Sequence, residues 1–254
     1  MNKNLYNKTM AEVSIERLKM FEPPEGYYVA FSGGKDSCVI KQLCIDAGVK
    51  FDAHYGQTTI DPPELVYFIK QYHKDVIWEK PKKPYLVRLI EKGFPLRQSR
   101  WCCKEYKEQG GSGRSVVTGI RAAESAKRAK RNMVEVSHTD HTKKFLNVII
   151  DWEDVDVWDY IHESKIPYCK LYDEGWKRLG CLFCPMATKG RKLWEVGQYP
   201  RFALAFIKAF QCLKDNRTAK GLHSCDEWAN GTDMFNWYIS GENSGEDEQC
   251  GLFT

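Results

Sequence analysis

Apolar and polar positions along the chain switch repeatedly between short continuous runs and a helical spacing, and each switch marks an element. Residues 27–31 (Tyr-Tyr-Val-Ala-Phe) form an apolar run of strand length. Val39, Ile40, Leu43, Cys44 and Ala47 then recur at helical spacing until Gly48, and residues 51–55 read as a second strand, which completes one β-α-β unit. Asp61-Pro62-Pro63-Glu64 opens another helix carrying Leu65, Phe68 and Ile69, followed by a short strand at 76–78. Residues 85–92 predict a helix stopped by Gly93. Residues 115–119 predict a strand ending in glycine, 121–131 a charged helix, and 145–150 one more strand. An acid-rich amphipathic helix is expected over 152–161, with Val155, Trp158 and Ile161 on its buried side. From Trp176 onward no strand is predicted; 201–213 and 232–239 read as helices.

Strands alternating with helices predict an α/β fold with a mostly parallel sheet sandwiched by helices, and a mainly helical C-terminal extension. The expected organisation is an N-terminal helical segment at 1–25, an α/β domain at 26–175, a helical extension at 176–239, and a mobile tail at 240–254 rich in glycine, serine and acid. In such sheets ligands sit beyond the carboxyl ends of the strands, which is where residues 32–37 and 119–121 are expected to converge.

That position gives the segment after the first strand its meaning. Ser32-Gly33-Gly34-Lys35-Asp36-Ser37 is a glycine turn with one cation and two hydroxyls. Adjacent glycines let backbone N–H groups approach an anion, Ser32 and Ser37 add donors, and Lys35 adds a point charge, so the segment reads as a phosphate cradle. It is not a Walker loop, which needs glycine at Val29 and a hydroxyl residue at Asp36. Asp36 either orients Lys35, helps hold magnesium on a polyphosphate, or serves as a helix N-terminal carboxylate. Arg121, Glu124, Ser125 and Arg128 have one-turn spacings on the expected helix after Gly119 and can address one ligand, an arginine binding phosphate bidentately.

Composition adds less. The chain has 254 residues, 43% hydrophobic, with a net charge of +4 that suits an anionic substrate such as a nucleotide. No apolar run approaches the roughly 20 residues of a membrane span, and residues 1–6 lack the apolar stretch of a signal peptide, so the expected location is cytoplasmic, with no membrane partner. Ten cysteines in a chain of this kind point to metal or redox chemistry. Cys102 and Cys103 are adjacent, and Cys181-Leu182-Phe183-Cys184 supplies a Cys-x-x-Cys pair; four thiolates in two pairs select zinc or an iron–sulfur cluster, and Arg100, Lys104 and Lys107 favour the thiolate form. His138-Thr139-Asp140-His141 reads as a polar loop, Lys189-Gly190-Arg191-Lys192 as a solvated edge or a nucleic-acid contact, and Trp176, Trp194, Trp228 and Trp237 as core.

Several segments in order resemble the phosphoadenosine phosphosulfate (PAPS) reductase family, within the pyrophosphate-loop ATP pyrophosphatases. They are residues 32–37; Phe94-Pro95 with Arg100-Trp101-Cys102-Cys103 and Lys107; Gly119-Ile120-Arg121 with Glu124-Ser125 and Arg128; Asp151-Trp152 with Asp156-Val157-Trp158 and Tyr160-Ile161; Ile166-Pro167-Tyr168 with Leu171-Tyr172; and Gly180-Cys181 with Cys184. The resemblance implies an adenine-nucleotide α-hydrolase-like (HUP, Rossmann-like) fold. It also implies nucleotide binding by Ser32, Gly33, Gly34, Lys35, Asp36, Ser37, Gly119, Arg121, Glu124, Ser125 and Arg128, and a four-iron, four-sulfur cluster (zinc being the weaker alternative) on Cys102, Cys103, Cys181 and Cys184. Sulfonucleotide reductases of the family have usually lost the Gly-Gly-Lys form of the loop, whereas Lys35 is present here. That favours an ATP pyrophosphatase, with Mg2+, that adenylates an acceptor for sulfur transfer, Lys35 being catalytic. The expected partners are ATP, a sulfur donor such as a cysteine desulfurase, and DNA, tRNA or a small molecule as acceptor. The alternatives are a reductase of adenosine phosphosulfate or PAPS, and a non-catalytic nucleotide-binding redox sensor. In the reductase, Cys250 in Gln249-Cys250-Gly251-Leu252-Phe253 is the nucleophile, regenerated by a thioredoxin-like partner; the family's tail has Glu and His where this chain has Gln249 and Phe253.

Overall fold

The structure is a computed structural model and describes residues 8–240. The chain divides into two compact units. The first comprises residues up to Gly56, Pro63–Glu79 and Gln109–Leu179; the second comprises Gln57–Pro62, Lys80–Glu108 and the chain from Gly180 onward.

The first unit opens with α1 (Met10–Met20), whose Thr9 and Glu12 form a reciprocal capping box. Then follow β1 (Tyr27–Ala30), α2 (Lys35–Ala47), β2 (Phe51–Gly56), α3 (Pro63–Tyr72) and β3 (Ile77–Glu79). Gly48 ends α2 in the left-handed conformation that glycine adopts without a Cβ penalty. In the second unit come α4 (Tyr85–Lys92) and α5 (Trp101–Tyr106). The chain then returns to the first unit for β4 (Ser115–Thr118), α6 (Ala126–Ala129), β5 (Val134–Val136), β6 (Lys144–Asn147) and α7 (Asp154–Glu163). The second unit ends with α8 (Lys189–Gln198), α9 (Pro200–Ala219) and α10 (Gly231–Ser240).

The sheet order is β3-β2-β1-β4-β6-β5. Every pairing is parallel except β5 with β6. This is the expected mostly parallel α/β sheet. Its order reverses between β1 and β4, so the loop after β1 opens at a topological switch point, where α/β sheets bind ligands. Tyr27, Val29, Val116 and Val117 are buried in the sheet. Trp152 is fully buried and its indole N–H donates to Ser14 Oγ (3.0 Å), which in turn donates to the carbonyl of Val148 (3.1 Å). In the second unit α9 packs against α4 and α10 around Phe206, Phe210, Leu213, Phe235 and Leu89.

Several expectations need correction. The helix expected over 121–131 is a 3-10 turn at Ala122–Glu124 followed by the one-turn α6, because Ser125 is extended (φ −174°) and caps the N–H of Arg128 with its own hydroxyl. The strand expected at 145–150 closes at Asn147, where the chain turns. Residues 138–141 form the expected polar loop, but it joins two strands, β5 and β6, rather than the expected helix and strand. On α7 the buried side is Val157, Tyr160 and Ile161, while Val155 is exposed on the flank. Trp194 is also exposed, whereas Trp176 and Trp228 are buried. Residues 189–192 begin α8, with Thr188 as N-cap; Lys189 and Gly190 are exposed, as a solvated edge requires, whereas Lys192 is buried. Among the described residues no helix is long and apolar enough to cross a membrane. The tail at 241–254, with Cys250, lies outside the described residues.

Candidate functional site

The turn from β1 into α2 is fixed by close packing. Gly33 stands at φ +73°, and a Cβ there would lie 2.6 Å from Leu65 Cδ1 and 2.8 Å from Ile69 Cδ1 of α3. The glycine is therefore required both by its dihedral and by the space. Within the turn the Ser37 hydroxyl donates to the carbonyl of Gly34 (2.8 Å) and accepts from the N–H of Ser32 (3.1 Å), with Ser32 Oγ 3.2 Å away. The N–H of Lys35, in the first turn of α2, donates to the hydroxyl of Tyr172 (2.9 Å). Burial, more than the charge of Asp36 nearby, raises the Tyr172 phenol above its ordinary range, so it stays protonated.

The charged groups of the loop form one network. Lys35 Nζ donates to Asp154 Oδ1 at 2.7 Å and lies 3.4 Å from both oxygens of Asp36. Arg121 Nε donates to Asp36 Oδ1 at 2.6 Å and its Nη2 to the same Asp154 Oδ1 at 2.8 Å. Lys35 and Arg121 are both buried, while the side chain of Asp154 is 66% exposed. Partial burial works against the charge of Asp154, yet the hydrogen bond and charge of Lys35, with Arg121, hold its carboxyl below the usual range. Gly119 lies so close to Asp36 that a Cβ there would be 3.0 Å from the Asp36 Cβ.

The structure thus brings together Ser32, Gly33, Gly34, Lys35, Asp36, Ser37, Gly119 and Arg121. Glu124, Ser125 and Arg128 are engaged differently from the one-face arrangement expected. Glu124 accepts the N–H of Arg121 (3.2 Å) and pairs with Arg128, and Ser125 caps α6. Arg128 is pushed down to about 10 by burial, then by the charge of Arg178. Asp154 and Tyr172 are the residues that spacing did not single out. Asp154 lies 119 positions from Lys35. Its one signal is an acid at the start of a helix, which reads equally well as dipole compensation.

Cys102, Cys103, Cys181 and Cys184, all in the second unit, also interact with one another. Cys102 donates a hydrogen bond to Cys103, so Cys102 is driven up and Cys103 down, Lys107 and Arg100 adding to the latter. Cys102 feels the charges of both Cys184 and Cys181. Cys181 is pushed up to about 11 by burial, against the pull of Lys107. All four are free thiols of intermediate exposure. Among the described residues no three or more His, Cys, Asp or Glu stand in metal-holding geometry. Two adjacent thiols and a Cys-x-x-Cys turn, electrostatically coupled and beside basic groups, are a donor set that suits soft metals.

A family model described as phosphoadenosine phosphosulfate reductase domain matches residues 26–187, well over half of the chain. The chain belongs to that family. An uncharacterized protein of Methanocaldococcus jannaschii, MJ0066, is 32% identical over 66% of this chain and 39% of its own length. An adenosine 5'-phosphosulfate reductase of Allochromatium vinosum is 28% identical over 57% of this chain and 64% of its own. A probable FAD synthase of Caenorhabditis elegans is 29% identical over 67% and 32%. The chain therefore spans less than two thirds of each of these relatives. The solved structure of a PAPS reductase from Candida auris superposes with a TM-score of 0.52 at 19% identity, covering 71% of this chain and 92% of that one. Membership of the family and the PAPS reductase-like α/β fold are thereby shown.

Proposed function

We propose that the chain is an ATP pyrophosphatase of the PAPS reductase family that adenylates an acceptor for sulfur transfer. The acceptor oxygen attacks the α-phosphorus, the bond to the β-phosphate oxygen breaks, and pyrophosphate leaves with the bonding electrons. A sulfur nucleophile then displaces AMP. The observation that carries this reading is the buried pair Lys35 and Arg121, held by Asp36 and Asp154 at the mouth of a glycine turn with two hydroxyls. Cations fixed before the ligand arrives stabilise charge as it grows on the leaving pyrophosphate, with little reorganisation. Magnesium accompanies the ATP. The sequence relatives support nucleotide chemistry of both kinds, reduction of a sulfonucleotide and synthesis of FAD. The Gly-Gly-Lys form of the loop favours the use of ATP.

Cys102, Cys103, Cys181 and Cys184 are proposed to hold a four-iron, four-sulfur cluster, which when bound supplies electrons or sulfide to the sulfur-transfer step. The test uses the full chain purified without oxygen. Exchange of labelled pyrophosphate into ATP once an acceptor is supplied, with AMP formation when sulfide is added as well, supports the reading. Release of sulfite from adenosine phosphosulfate or PAPS, with no pyrophosphate chemistry on ATP, replaces it with a reductase acting through Cys250. ATP binding without turnover leaves a sensor.

A further inference from the structure

The Cys181–Cys184 turn is held by groups that lie beyond residue 187, where the family match ends. Phe183, between the two cysteines, stands at φ +52°, a left-handed conformation uncommon for a residue with a side chain. Its N–H donates to Glu195 Oε2 at 2.7 Å, and its carbonyl accepts from the hydroxyl of Tyr238 at 2.9 Å. Both backbone groups of the strained residue are thus fixed by side chains of α8 and α10. Glu195 is fully buried, and its other oxygen accepts from Arg191 Nε at 2.7 Å. Lys192, buried on the same helix, donates to the carbonyl of Tyr238 (2.8 Å). The preceding N–H, of Leu182, donates to the carbonyl of Ile60 at 2.9 Å.

A carboxylate taken fully out of water is costly unless it serves a specific contact. Here the contacts are a salt bridge and one N–H of a turn that carries two thiols. A backbone held at positive φ is disfavoured and persists where its surroundings over-determine it. Resting on the thiol-centre reading above, we infer that Glu195 is the positioning residue of that centre: it fixes the backbone of the Cys181–Cys184 turn between the two thiols proposed to share one metal core. As a buried anion it also disfavours addition of an electron there. Tyr238 shares the first task and not the second.

The experiment compares wild type, Glu195→Ala, Glu195→Gln and Tyr238→Phe, all as the full chain purified anaerobically. Iron and sulfide per chain, midpoint potential and far-ultraviolet circular dichroism are measured. Glu195→Ala is expected to lose iron several-fold. Glu195→Gln, which keeps an acceptor for the Phe183 N–H, is expected to restore loading while its midpoint potential rises, since the negative charge beside the turn is gone. Tyr238→Phe is expected to lose part of the iron without a rise in potential. If Glu195→Ala and Glu195→Gln load and titrate as wild type does, the inference is overturned. Should Glu195→Ala fail to fold by circular dichroism, Glu195→Gln decides, and an unshifted potential overturns the role. A wild-type chain that binds neither iron nor zinc on its thiols removes the thiol-centre reading itself, before any variant is compared.

Discussion

Replacing Lys35 by methionine removes the loop's point charge and keeps most of its apolar stem. If the ammonium sits about 4 Å from a phosphate oxygen at an effective dielectric near 20, the lost interaction is about 4 kcal/mol. A transition-state share of about 3–4 kcal/mol corresponds to a fall of roughly 10²–10³ in kcat. The cost in stability is small by comparison. Asp154, the nearest partner, is 66% exposed and keeps Arg121 at 2.8 Å, so folding should change by no more than about 1 kcal/mol. The assay is steady-state pyrophosphate release with Mg·ATP, beside ATP affinity by calorimetry and a thermal melt. Lys35→Arg retains the charge in a planar fork and is expected to fall between wild type and Lys35→Met. A Lys35→Met enzyme within threefold of the wild-type kcat refutes the reasoning, and so does one whose lost activity is matched by a collapse in melting temperature.

Gly33→Ala places a methyl 2.6 Å from Leu65 Cδ1 at φ +73°; a loss of about 2 kcal/mol is expected, seen as a melting point lower by several degrees, and an unchanged melt would sink the packing argument. Arg121→Lys cannot hold Asp36 and Asp154 at once as the fork does, so kcat/KM should fall about 10–100-fold with little change in the melt; equal kinetics would count against the network. Burial, aided by Lys41 and opposed by Asp75, holds His73 down to about 4. Its folded value is depressed, so its contribution is complete above the ordinary value near 6.5 and is lost as pH falls toward 4, by up to about 3 kcal/mol. Urea titrations from pH 7.5 to 4.5 should show this limb, and His73→Gln should flatten it; an equal slope in both proteins would contradict the assignment.

What the chain discloses about its fold follows from how each element is stabilised. The strand at β1, the helices α2 and α4 and the strand at β4 bury apolar side chains at a regular period or in a compact run, so the pattern finds them. The helix α8 is invisible to that method because its buried residues are Lys192 and Glu195, while Leu193 and Trp194 face solvent. The edge strand β5 is three residues long and exposes Val134 and Val136, leaving no buried alternation to recognise. Nothing in the pattern says that residues 80–108 pack with the C-terminal helices, since membership of a unit is set by contacts between distant segments.

The candidate site divides along the same line. The loop proposed to take phosphate is legible because its chemistry is local: two glycines, two hydroxyls and a cation within six residues. The groups that aim it are not. Lys35 and Arg121 both donate to one oxygen of Asp154, the arrangement a phosphate oxygen would also ask of them. With Asp36 the network holds two cations against two anions, so the buried charges are compensated without a ligand. Such compensation lets two cations remain buried and in place in the free protein, since an unpaired buried cation is strongly disfavoured. If a polyphosphate binds there as proposed, the charges of Asp36 and Asp154 enter its binding energy. A polyphosphate that takes up Lys35 and Arg121 must displace or share them with Asp154, and the exposure of that carboxylate makes it the partner most easily returned to water.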